Sequence, residues 1–227
     1  MHSEETRLNK KSLICESLLA WLVVIIASRL FHSLKSFSFI QNNLAVLTAL
    51  FLLYVPIGLS LFKKEKISYV DFSLSAFLKS LAFGGMITLL VLIPALGVNH
   101  IYQTGILHHS FHAAPFPKWF SFFIFELVVI ALPEEFFFRG YLLSRANVIL
   151  RKNLSLLGTQ VGWGLPVVSL IFALSHTLIH YQWWHLLIFF PALLFGWLRE
   201  RTKTITASVF FHAACNLFAQ WVFLHYQ

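Results

Sequence analysis

Apolar runs of bilayer length dominate this chain and limit its fold more than any other feature. Seven runs fall at roughly 12–31, 40–62, 72–97, 117–143, 165–181, 184–199 and 204–225. They run from 16 to 27 residues, around the roughly 17–25 that a hydrocarbon core requires. Hydrocarbon offers no partner to a free backbone N–H or C=O, so such runs fold as helices. The expected fold class is all-α, a polytopic membrane helix bundle of about seven transmembrane helices. It reads as a single integral membrane domain over residues 1–227. The fifth and sixth runs are short and joined by "HYQWWH", as in a tight helical hairpin. Composition agrees: 58% of the chain is hydrophobic and 11% charged, whereas a soluble domain is about a quarter charged.

The net charge of +8 would suggest nucleic acid in a soluble protein. Here the basic residues sit in short loops, and no Lys/Arg stripe carries interleaved aromatics for stacking bases. The expected partner is the lipid bilayer, with no nucleic acid. Arg7, Lys10 and Lys11 precede the first run; Lys63, Lys64 and Lys66 follow the second; Arg145, Arg151 and Lys152 follow the fourth; Arg199, Arg201 and Lys203 follow the sixth. With seven spans these groups share one side, so the positive-inside rule puts the N-terminus in the cytoplasm and the C-terminus outside. Trp119, Trp163, Trp183 and Trp184 fall near the expected interfaces, where amphipathic rings collect. The first run is long enough to stay as an anchor and shows no small-x-small cleavage site, so no cleavable signal is expected. Cys15 and Cys215 give neither a disulfide framework nor metal-type spacing. The histidine-rich "LHHSFHAAPFP" has no nearby carboxylate or thiol and reads as an interfacial loop rather than a metal site.

With the loop charges set aside, a few polar residues stay inside the last four helices. They are Glu126, Glu134, Glu135 and Arg139 in the fourth run, His176 in the fifth, and His212 and Asn216 in the seventh. Ionisable residues within a membrane face the bundle interior or a wet cavity and mark function by default. At about 1.5 Å of rise per residue, Glu134 and His176 lie about 15 Å from the basic side, His212 about 12 Å and Asn216 about 18 Å. An intramembrane polar cavity at a common depth is therefore expected. Glu135 and Arg139 are four apart and can pair on one helix face, as can His212 and Asn216. Glu134 points about 100° away from the Glu135–Arg139 pair. Pro133 removes a backbone donor just before the glutamates and tends to kink the helix.

A carboxylate and an imidazole around one water can activate it for attack on a peptide carbonyl, a role that suits Glu134 and His176. An imidazole N–H and a carboxamide, from His212 and Asn216, can stabilise the oxyanion that follows. The competing reading of each group is a structural polar bridge between helices. Cys215 and Ser175 read as packing residues. Glu126 can line the same cavity or pair with Lys118.

These residues also form three ordered motifs: "EEFFFR" at 134–139, "FALSH" at 172–176 and "HAACN" at 212–216. In that order, on successive membrane helices, they resemble the CPBP family, the CAAX protease and bacteriocin-processing family of glutamic intramembrane proteases. The resemblance covers about residues 117–220, which would be the catalytic core segment; the first three helices carry no matching motif. It implies a helical bundle with a cavity facing the membrane or cytoplasm, and metal-independent peptide hydrolysis with no cofactor. Glu134 and His176 would activate water, His212 and Asn216 would form the oxyanion site, and Glu135 and Arg139 would complete the first motif. The resemblance implies a bacterial inner-membrane member, with a myxosortase-like enzyme that cuts a peptide or protein substrate at its C-terminal sorting tail as one form of it.

Rival functions stay open at this level. A zinc metalloprotease could use Glu135, His176 and His212 as ligands, although no HExxH is present. A non-catalytic immunity or peptide-binding factor could use the same cavity. A transporter is disfavoured by the lack of paired broken helices in two related halves.

Overall fold

The computed structural model describes residues 2–113, 115 and 118–227. These form seven helical rods. The first three are α1 (His2–Ser33), α2 (Ser38–Phe62) and α3 (Leu74–Ile101), which runs on into a π-helical turn, Tyr102–Ile106. The fourth rod is continuous over 119–150. It contains α4 (Trp119–Phe125), a π-helical stretch Glu126–Ala131, α5 (Leu132–Glu135), a second π stretch Phe136–Leu142 and α6 (Leu143–Leu150). Then come α7 (Gly164–His180), a 3-10 turn Trp183–Ile188, α8 (Phe189–Thr202) and α9 (Thr206–His225).

The protein is a multi-pass membrane protein. Lys10–Ser33, Ser38–Phe62, Leu74–Ile106 and Thr206–His225 are each long and apolar enough to cross a bilayer alone, and Gly164–His180 is a shorter apolar helix. Large side chains such as Leu19, Phe39, Tyr54, Leu90 and Ile93 point outward from α1, α2 and α3, and such a surface needs lipid around it. The buried core lies mostly in the second half of the chain, with Phe137, Phe172, Ala192, Leu198 and Phe211 at its centre.

The expected kink at Pro133 takes a particular form. Proline cannot supply the N–H that an α-helix needs one turn back, and the rod turns π-helical on both sides of α5. Such π turns are frequent at functional sites, and here they flank the two glutamates.

One local element departs from the all-helical expectation. β1 (Lys152–Leu156) pairs antiparallel with β2 (Thr159–Gly162). Between them Leu157 and Gly158 have φ of 49° and 71°, the twist-matched geometry of a two-residue hairpin. The strands are too short for their alternation to stand out in sequence. The tip is held to α8, whose Trp197 Nε1 donates to Leu156 O at 3.1 Å and whose Arg201 Nη1 donates to Gly158 O at 3.0 Å.

Both ends of the bundle are tied. At the amino-terminal face Lys10 Nζ donates to Ile149 O, and Ile205 N to Tyr69 O. Glu16 of α1 accepts from Tyr141 and Arg145 of the fourth rod and pairs with Lys63 after α2, while Arg145 also reaches Glu65. Arg199 donates to Glu200 and to Ser144. Arg145 and Arg199, expected as loop charges, are thus buried in ion-pair networks that join rods. Tyr69 packs edge-on against Phe136 and is pressed against Gly140, where any Cβ would run into its ring. Burial pushes its phenol up to about 12, so the ring stays neutral in this apolar seat. At the far face Phe111 bridges to Tyr226, bringing the loop after α3 to the end of α9.

Candidate active site

Three rods supply the polar side chains anticipated from sequence, and they meet. Glu135 is fully buried. Its Oε1 accepts from Arg139 Nη1 at 2.9 Å and from His212 Nδ1 at 3.0 Å. Arg139, 1% exposed, also donates to Ala192 O at 3.3 Å. Its guanidinium lies over the rings of Phe172 and Phe195, at 4.1 and 5.0 Å. This seat compensates a charge that could not otherwise be held away from water.

Glu134 points elsewhere. Its Oε2 lies 3.8 Å from His176 Nε2 and 3.8 Å from His212 Nε2. It is buried without a hydrogen-bond partner among the described residues. Both gaps are too long for a direct hydrogen bond and suit one bridging water. His176 is oriented from behind: Nδ1 donates to Phe172 O at 3.0 Å, a carbonyl that can only accept. In the neutral ring Nε2 is therefore an acceptor facing Glu134. His212 is stacked on Phe195, with centroids 4.6 Å apart and ring planes 16° apart.

Asn216 joins through a residue whose role was open. Its Nδ2 donates to Glu126 Oε2 at 2.7 Å, and Glu126 in turn lies within electrostatic reach of His212 and Glu134. Ser175 donates to Ile171 O and accepts from Trp21 Nε1, which makes it a link between α7 and α1.

A cavity of about 80 Å³ opens beside Glu134 and His176, room for a few waters. Apart from Ser175, whose hydroxyl is already paired, its remaining polar lining is Ser28, His32, Thr48 and His180, from α1, α2 and α7. These residues were not singled out from sequence. A hydroxyl is cheap in a membrane helix and leaves little trace in an apolar run; the available signal was that Ser28 and His32 share a helix face. Two larger hollows, of about 560 and 460 Å³, lie between α3, the fourth rod and α9. They are lined by apolar groups such as Leu92, Phe123 and Phe210 and hold none of the six residues of the three motifs.

No group of three or more His, Cys, Asp or Glu side chains among the described residues is arranged to hold a metal ion. The proposed zinc set does not converge: Glu135 lies on the Nδ1 side of His212, whereas His176 faces Glu134, which lies on the Nε2 side.

The fold and these contacts define a class, a polytopic membrane protein with a buried carboxylate–imidazole centre built from three helices. Residues 116–218, a little under half of the chain, match the family model described as type II CAAX prenyl endopeptidase Rce1-like, a family within the CPBP group. No curated protein and no solved structure matches the chain.

Proposed function

We propose that the protein is a metal-independent glutamic intramembrane endopeptidase, cutting a peptide bond near the C-terminal tail of a membrane-associated or exported protein. The observation that carries this reading is the buried, unpartnered Glu134 Oε2, 3.8 Å from two imidazole nitrogens beside a small polar cavity. A water held by Glu134 and His176 gives its proton to Glu134 as its oxygen attacks the peptide carbonyl carbon. Glu134 then returns that proton to the departing amine.

His212 and Asn216 meet the oxyanion. Glu135 accepts from His212 Nδ1, so Nε2 can donate only if the ring is doubly protonated. Asn216 gives one amide hydrogen to Glu126 and keeps a second for the oxyanion. Glu135 and Arg139 hold His212 in place.

The basic residues gathered at the amino-terminal face support a cytoplasmic N-terminus in a cell membrane, with the bacterial inner membrane as our assignment. A C-terminal sorting tail, as in a myxosortase-like member, is the proposed substrate.

The test is mass spectrometry of the C-terminal tails of membrane and exported proteins, from cells carrying the wild-type chain or Glu134→Gln. Cleaved tails should disappear with the variant, corresponding to a rate loss of about 10²–10⁴-fold or more, and should persist in a strong chelator. Tails cut equally in both strains would end the peptidase reading.

A further inference from the structure

Serine hydroxyls in helices often bond the carbonyl one turn back, and this protein does so repeatedly. Ser17 donates to Leu13 O at 2.7 Å, Ser33 to Arg29 O at 3.0 Å, Ser144 to Gly140 O at 2.5 Å and Ser175 to Ile171 O at 2.7 Å. Ser28 of α1 breaks the pattern. It is 0% exposed, and its Oγ has no hydrogen-bond partner among the described residues. It lines the same cavity as Glu134 and His176. Its own carbonyl is engaged by His32 Nδ1 at 3.0 Å.

The placement is held on both sides. Trp21 Nε1 donates to Ser175 Oγ at 2.8 Å, and Arg29 Nη1 donates to Ile179 O at 2.7 Å, so α1 is fastened to α7 before and after Ser28. An unpaired buried hydroxyl is unfavourable unless a partner arrives. The facing groups define that partner: an ionised Glu134 and the Nε2 of a neutral His176 are both acceptors. A peptide carbonyl entering the cavity therefore finds no donor at Glu134 or at His176 Nε2, and the unpaired Ser28 hydroxyl on α1 is free to supply one.

We infer that Ser28 is a positioning residue for the peptide substrate, its Oγ–H donating to a main-chain carbonyl and holding the chain across the cavity from Glu134 and His176. The inference rests on the peptidase reading above, and it places part of the substrate site on α1, outside the 116–218 family match.

The test uses the full chain in liposomes, with an internally quenched peptide carrying a C-terminal sorting tail, chosen from the tails found cleaved in the experiment above, as reporter. Ser28→Ala and Ser28→Val should lower kcat/KM about three- to tenfold, the scale of one hydrogen bond between neutral groups. Ser28→Thr matches valine in shape but keeps a hydroxyl, and should recover most of that loss. In the Glu134→Gln background, where turnover does not intrude, Ser28→Ala should weaken reporter binding by the same factor, which a purely structural role would not do. Wild-type kcat/KM in both Ala and Val, with Glu134→Gln inactive, would overturn the Ser28 assignment alone. Equal losses in Thr and Val, accompanied by a lowered Tm, would also overturn it in favour of packing. Absence of Glu134-dependent cleavage of the reporter would remove the peptidase reading for this substrate class, and the Ser28 inference with it.

Discussion

At the scale of single residues, the two adjacent glutamates have opposite surroundings. Glu135 is shared between Arg139 and His212, whereas Glu134 Oε2 is left to the cavity and the imidazoles. Removing one partner of a buried pair strands the other charge, typically at a cost of about 3–5 kcal/mol, whereas replacing both by apolar groups is often tolerated. Arg139→Met should therefore destabilise the detergent-solubilised protein on that scale, and adding Glu135→Leu should restore much of the loss, read as chemical or thermal unfolding. The six residues of the three motifs were legible in sequence because ionisable and amide groups stand out in apolar runs. Ser28 was not, since its hydroxyl matters through what surrounds it and not through its residue type.

At the scale of elements, the close seat of Tyr69 on Gly140 fixes how the loop after α2 meets the rod that carries the first motif. Overpacking a tight contact costs about 1–3 kcal/mol. Gly140→Ala should lower stability within that range, while in a Tyr69→Ala background the same change should cost much less. A double-mutant cycle by denaturant unfolding measures the coupling. Helix positions were readable from the apolar runs, and α9 begins at Thr206 where about Thr204 was expected. The π stretches around α5 and the 152–162 hairpin were not readable. The first depend on hydrogen-bond register around Pro133, and the second on contacts with Trp197 and Arg201 of α8.

At the scale of the whole molecule, the segment bearing the motifs leans on helices that bear none. Glu16 receives Tyr141 and Arg145, Trp21 reaches Ser175, and α1 and α2 close the cavity beside Glu134. A chain lacking residues 2–62 keeps every motif residue, yet should show no measurable turnover in the reporter assay. Co-expressing residues 1–73 with the remainder should restore part of it. The bundle architecture was visible from run lengths alone. The dependence of the site on α1 was not, because it arises from long-range contacts such as Trp21–Ser175, 154 residues apart.

The Glu135–His212 bond has a consequence for how the chain is made. The two residues are 77 positions apart, so at about 5–20 residues per second the glutamate leaves the ribosome about 4–15 s before its imidazole exists. Throughout that delay Arg139, on the same rod, is the counter-ion already at hand. A neighbour that later helps arrange the centre thus first acts as an escort, letting a doubly acidic segment enter lipid before the helix that completes its surroundings has been synthesised.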